Sequence, residues 1–330
     1  DFVTHNSYIS FGTEYAQVDI GYRESWLSPA QESAELLSTN AEPIPSITIS
    51  NVKAITDWNI NYQMSFGFLQ EMDGIHFGDK TSSGKPGFLT MHMSTQLFDW
   101  WTFGVNRTFM FGGGERSINL SDIWKAIIDP VSSDNCGGLS DLQDCDIEVG
   151  NQIASLTSKF DFSIFDNFPV SIYAEFGGED TNDYKNYLLG NKGFTLGVFI
   201  PYLTDTTSIY FEHSLFEDQW YIHHLYDEGY RNNLHVMGHW WGDEKAIKDP
   251  VEANVTTIKV NWDVSQIDHL ELLIRSVKNS SSTLFNYKRS LEAELNYKHA
   301  YNAGFLGLSI VAGSDTYGDS FSRIAFSYNW

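Results

Sequence analysis

Four histidines fall within one 38-residue stretch, 217–254: His223, His224, His235 and His239, with Asp227 and Asp243 close by. Imidazoles and carboxylates are the ligand set of zinc, but these spacings match no established zinc motif. An Asp/His pair can also serve a hydrolase, yet no nucleophile motif such as G-x-S-x-G accompanies it. Hydrogen bonding within an aromatic loop is the plainer role for these histidines. No catalytic residue, resident metal or cofactor is expected, although the acidic loops could take a divalent cation.

A second set of residues points to sugar. Trp26, Trp124, Trp220, Tyr230, Trp240 and Trp241 lie in polar segments, where a flat ring can stack on the C–H face of a pyranose. Arg23, Glu24, Asn40, Arg107, Glu115, Arg116, Asp218, Arg231 and His239 share those segments and can pair with hydroxyls. Their arginines would clamp the carboxylates of an acidic polysaccharide. The competing reading is that loop aromatics pack on one another and the Arg–Glu pairs brace loops.

The elements that must carry these residues alternate with a period of two. Ile258, Val260, Trp262 and Val264 share one face, and Thr257, Lys259, Asn261 and Asp263 the other. The last eight residues, RIAFSYNW, repeat this with Ile324, Phe326, Tyr328 and Trp330. A soluble sandwich also alternates, so three further features decide. Many runs last 9–13 residues, the length of a tilted membrane strand. Short connections (300–302, 265–267, 201–205, 164–168, 98–100, 53–59) alternate with mostly longer ones (314–319, 279–286, 217–254, 179–192, 112–152, 73–87, 23–45). Tyr62, Trp100, Trp101, Trp262, Tyr297, Tyr328 and Trp330 gather near strand ends, as in an interfacial girdle.

These features predict an all-β fold, an up-and-down antiparallel transmembrane β-barrel of about fourteen strands forming a single domain over 1–330. With Trp330 in the periplasm, every long loop faces the cell exterior and both termini are periplasmic. A monomer embedded in outer-membrane lipid and lipopolysaccharide is expected. The net charge of −23 excludes nucleic acid as a partner.

Arg107 breaks the pattern by falling on the apolar parity of 101–111. Either it sits above the hydrocarbon zone or a bulge turns it inward. The segment NLSDIWKAIID (119–129) has a helical stripe and can fold over the barrel mouth. Cys136 and Cys145 close a short polar loop and are expected as a disulfide. On the polar faces, Asp19, Lys159, Asp161, Glu175, Glu212, Lys259, Asp263, His269, Glu271, Arg275, Glu292 and Glu294 would line a porin channel or brace a plugged one. With the helix and a 38-residue loop available as plugs, the closed lumen is favoured.

Three stretches carry a family resemblance. GYRESWLSPAQESAELLSTNAEPIPSITIS (21–50) resembles a segment of the Wzi capsule-assembly family, with Glu42 where Arg is common. VNRTFMFGGGERSINLSDIWKAIID (105–129) and YFEHSLFEDQWYIHHLYDEGYRNNLHVMGHWWG (210–242) are similar to two further family patterns in the same order. The resemblance implies a Gram-negative outer-membrane barrel, lectin-like and not an enzyme, that holds capsular or extracellular polysaccharide at the cell surface. A porin or solute-specific channel is the alternative. The family fold has eighteen strands and a small periplasmic helical bundle. Fourteen strands and no bundle are visible here, so an amino-terminal truncation is expected.

Overall fold

The computed structural model describes residues 6–128, 149–164, 168–179 and 189–330. Their main sheet has fifteen strands, each paired antiparallel with its neighbours in chain order, and two small two-stranded pairs, Met72–Phe77 with Lys80–Gly84 and Arg231–Asn232 with His235–Val236, lie in the long connections. The first five are β1 (Ser7–Thr13), β2 (Ala16–Tyr22), β3 (Pro45–Ser50), β4 (Asn61–Phe68) and β5 (Gly87–Phe98). Then come β6 (Trp101–Phe111), β7 (Gly150–Ile164), β8 (Phe168–Glu179), β9 (Lys192–Thr204) and β10 (Thr207–Phe216). β11 (Ala253–Asp263), β12 (Asp268–Asn279), β13 (Ser290–Tyr301), β14 (Gly304–Ser314) and β15 (Ser320–Asn329) complete the sheet.

The count exceeds the expected fourteen because 8–22 is two strands, not one. The chain reverses at Glu14–Tyr15, pairing Thr13 with Ala16 and Ser7 with Tyr22. No Asn-Gly, Asp-Gly or Pro marks that turn, so the alternation reads straight through it. An odd count also places the two ends of the described chain apart. Asn6 is at the long-loop end, where it bonds Glu24, and Trp330 at the short-turn end. The expectation that both termini share one end is therefore corrected. No pairing joins β1 to β15 among the described residues, and both strands are exposed along their whole length.

The two faces of the sheet have opposite chemistry. The convex face exposes Ile9, Phe11, Ile20, Ile47, Met64, Phe66, Leu196, Leu272, Leu291, Ile310 and Phe326. A continuous apolar band of this kind is what lipid covers. The concave face buries Thr48, Thr90, Asn106, Thr108, Ser155, Glu175, Thr195, Glu212 and Thr257. Strand parity thus separates lipid-facing from protein-facing residues.

Two long connections, 23–44 and 217–252, fold back onto this concave face. Their own apolar core holds Leu36, Trp220, Tyr221, Tyr226, Tyr230, Val236 and Trp241, packed with Phe88, Met110, Ile153, Phe216 and Val277 of the wall. Phe216 and Trp241 stack 4.6 Å apart, and Tyr221 and Tyr230 at 5.6 Å. Glycine in the wall makes room for this insert. A Cβ at Gly177 or Gly193 would press on the Glu35 carboxylate and the Trp220 ring.

The expected helix exists as α1 (Leu120–Ile128), but it does not cover the mouth. Ile123 and Ile127 pack against Leu89, Phe109, Phe111 and Val149, a cluster apart from the insert's core and built on the convex face. Trp124 is 63% exposed there. The insert closing the concave side is 23–44 with 217–252, so one of the two expected plugs is replaced.

Candidate functional site

The insert is fixed to the wall through buried carboxylates. Glu212 accepts the backbone N–H of Gln31 at 2.5 Å and of Glu32 at 3.2 Å, and the Tyr173 hydroxyl at 2.6 Å. Tyr173 can lie across β9 because Gly197 has no side chain to block its ring. Glu175 accepts the Glu35 N–H at 3.1 Å and the Ser155 hydroxyl at 2.7 Å. Glu179 takes Tyr221 N–H at 2.7 Å and Asn151 Nδ2 at 2.6 Å. Arg275 grips Glu32 and reaches Glu292 at 3.3 Å. Elsewhere on the polar face, Lys259 pairs with Glu271 at 2.8 Å and Lys159 with Asp161 at 3.0 Å. Burial, reinforced by the neighbouring Glu175, pushes the Glu35 carboxyl well above its usual range. These charges brace a filled interior.

Most residues singled out for sugar binding belong to that brace. Tyr230 is fully buried, its hydroxyl 2.9 Å from the Leu36 carbonyl and 2.7 Å from Thr108 Oγ1. Arg231 is buried and donates to the Gly242 carbonyl at 2.5 Å. Arg116, also buried, donates to the His76 carbonyl at 3.2 Å. His239 is buried: its Nδ1 accepts Trp241 N–H at 3.1 Å and its Nε2 is 3.3 Å from Ser214 Oγ. Arg23 pairs with Asp19 at 2.6 Å, Trp26 donates to the Ala30 carbonyl at 2.9 Å, and Asn40 donates to Asp243 at 2.9 Å.

No bulge turns Arg107 inward. Its register with Met91 is regular, and from the convex face it donates to the Ile127 carbonyl at 2.7 Å and to Gln152. It caps the C-terminal end of α1, where a cation is favoured. Elsewhere in that set, Glu24 and Asn40 stay half-buried at the long-loop end, Glu115 and Asp218 are exposed there, and Trp124 is exposed on α1. The uronate clamp by loop arginines is therefore not assembled. Cys136 and Cys145 lie outside the described residues.

The histidines do not converge. His223 stacks on His224 at 4.7 Å, His235 pairs with Asp243 at 2.9 Å, and Asp227 serves His76 and Lys248. Among the described residues no group of three or more His, Cys, Asp or Glu is arranged to hold a metal ion.

A different group of aromatics is free to meet a ligand. Phe285, Tyr287 and Tyr317 come together from the 280–289 and 315–319 connections, with centroids 5.6–5.8 Å apart. Phe285 is 39% and Tyr317 47% exposed, with Leu284 beside them at 70%. The two loops are tied by Lys288 N–H to the Thr316 carbonyl at 2.8 Å. Asp315 Oδ1 turns the second loop by accepting the N–H of Tyr317 at 2.9 Å and of Asp319 at 2.8 Å. Gly318 there has φ +95, a conformation that glycine adopts without strain. Tyr287 is held from below, donating to Asp249 at 2.7 Å and accepting Ala246 N–H at 3.0 Å.

Next to the trio, a recess of about 50 Å³ is lined by Trp240, Glu244, Arg275, Glu292, Asp315 and Phe321, among others. Arg275 lies 4.9 Å over the Trp240 ring. The Thr316 hydroxyl donates to the Glu244 carbonyl at 2.7 Å, joining recess to trio. Burial, with Glu292, Asp315 and Asp243 nearby, raises the Glu244 carboxyl above its usual range. Burial likewise raises the Tyr287 and Tyr317 phenols, which stay protonated. Ring faces beside fixed carboxylate acceptors match the two surfaces of a sugar. The trio residues lie in short loops without tryptophan, outside the long Trp-bearing segments that looked suited to sugar. Their signal was an aromatic set among Ser, Asn, Asp and Gly, in SSSTLFNYKR and SDTYGDS.

A family model described as capsule assembly protein Wzi matches residues 1–313. The chain belongs to the Wzi capsule-assembly family. Among solved structures it is similar to Wzi of Escherichia coli, described as an outer-membrane carbohydrate-binding β-barrel involved in group 1 capsule assembly. That match has a TM-score of 0.72 at 15% identity and covers 97% of this chain and 68% of that one. OccAB2 of Acinetobacter baumannii follows with a TM-score of 0.57 at 8% identity, covering 97% and 75%. At these identities the likeness shows the fold alone. No curated protein matches the chain. The Wzi family assignment and the structural match agree with the antiparallel wall.

Proposed function

We propose that this Wzi-family chain is a single, monomeric outer-membrane barrel domain that binds exported capsular or extracellular polysaccharide and anchors it at the surface. It does so without turnover. The long-loop end faces the exterior and the short turns, with Trp58, Trp100, Trp262 and Trp330 exposed among them, face the periplasm. This orientation follows the usual asymmetry of such barrels. The observation carrying the reading is the Phe285–Tyr287–Tyr317 trio, exposed at Phe285 and Tyr317, beside an acceptor-lined recess at the end of the wall closed by the insert. Many weak contacts along a polymer, rather than one deep pocket, would give retention.

The test is a deletion strain complemented with wild type or Tyr317→Ala. Capsule shed into the medium by the deletion and by the variant, but not by wild type, is the expected result. Capsule that stays attached in the deletion strain would sink the reading. The porin alternative is addressed by planar-bilayer conductance of the full-length protein. A large, steady open conductance would favour the channel, whereas the braced insert predicts a closed lumen.

A further inference from the structure

The charges around the recess narrow the class of sugar, given the reading above that the trio and recess bind polysaccharide. We infer that the sugar units held there are uncharged, and that uronate-rich or otherwise anionic glycans are selected against. The side chains offered to a ligand in the recess are predominantly acceptors: Glu244, Glu292 and Asp315. Arg275, its one cation, already grips Glu32, reaches Glu292 at 3.3 Å and lies over Trp240. A sugar hydroxyl can donate to those carboxylates in a charge-assisted bond. A sugar carboxylate would meet them as like charge in a partly desolvated site.

The surrounding surface offers little compensation. At the long-loop end, Lys80 pairs with Glu115, Lys192 with Glu217, and Lys248 with Asp227. Arg231 and Lys245 are buried in the insert, where Lys245 donates to the Trp220 carbonyl, and Arg116 is buried against the His76 carbonyl. Lys278, Lys288 and Arg289 are the exposed cations nearest the trio in sequence. Lys278 lies on the parity of Leu272 and points to the convex side, which leaves Lys288, its stem against Gly318, and Arg289 as the two exposed cations beside the trio. Against these stand Glu244, Asp249, Glu252, Glu292, Asp315 and Asp319. The field at this end repels a polyanion.

The experiment uses the full-length protein, immobilised, and polysaccharide released from the cells that make it. Retention is measured for the native polymer and for the polymer after its carboxyls are reduced to hydroxymethyl groups, in chelator, from about 0.05 M to about 0.5 M salt. Expected are equal or tighter retention after reduction, little change with salt, and about tenfold weaker retention by Glu244→Gln. An anionic ligand predicts the reverse for each: loss on reduction, loss in salt, and tighter binding to Glu244→Gln. Any of these, or retention that requires added calcium, overturns the inference and leaves polysaccharide binding standing. Absence of retention for both polymers overturns the binding reading and the inference with it.

Discussion

The same side chain has opposite fates in two regions of this molecule. Trp220 and Trp241 in the 217–252 insert are fully buried, whereas Trp58 and Trp330 at the short-turn end are 67% and 94% exposed. Both sets lie in segments that look alike in composition, polar stretches with scattered rings. In the insert, rings have protein on every side: Phe216 stacks on Trp241 and Lys245 lies 5.1 Å over it. At the short-turn end the neighbours are other rings, such as Trp100 and Phe98 at 5.3 Å, and beyond them lies the membrane interface. An aromatic residue therefore says that a surface will be covered, and only its neighbours say by what.

That contrast can be broken most strongly from the insert side. Trp241→Ala should cost about 3–5 kcal/mol of insert stability, as for a fully buried aromatic. It would appear as a lowered denaturation midpoint in detergent. Retention of the wild-type midpoint would mean the insert does not depend on its core. Glu212→Ala strands the N–H groups of Gln31 and Glu32 and the Tyr173 hydroxyl, at about 1–3 kcal/mol for a buried group left unpaired. Limited proteolysis should then cut within 23–44 sooner than in wild type.

The third effect is a pH dependence. Burial, followed by the positive charge of Arg275, lowers the His239 pKa to about 3. The unfolded chain binds this proton below about pH 6.5, while the folded chain does not. The stability that neutral His239 contributes is thus complete above that value and lost as pH falls towards 3. Tryptophan fluorescence of the insert, followed from pH 7 to pH 4, should show progressive loosening, and His239→Gln should flatten the curve. Smallest of all, Trp58→Ala should change stability in detergent by no more than about 0.5 kcal/mol. A larger loss would show that Trp58 packs on protein.

Much of the wall was legible because alternation, loop rhythm and terminal aromatics are local. The alternation at 60–68, 101–111, 255–264 and 320–330 marked strands, although the first was expected to run to 72 and ends at Phe68. The hairpin at Glu14–Tyr15 was not, since its turn carries no special residue. The candidate site was read poorly. Tyr230, Arg231 and His239 looked like ligand groups because they are polar or aromatic in a long loop. They are instead the hydrogen-bonded interior of an insert whose burial depends on contacts across 100–200 residues, such as Tyr230 with Thr108 and Leu36. Phe285, Tyr287 and Tyr317 were missed for the converse reason, being three ordinary residues in two short loops.

By itself the sequence determined the antiparallel wall, its apolar and polar faces, and the family, because these rest on periodicity and on motifs in a fixed order. Tertiary structure alone decided which loops fill the concave side, that α1 lies on the convex one, and which aromatics stay open to a ligand. Side-chain parity is set between adjacent residues. Whether a loop folds inward is set by distant partners, here the carboxylates of β8 and β10 and the glycines of β8 and β9.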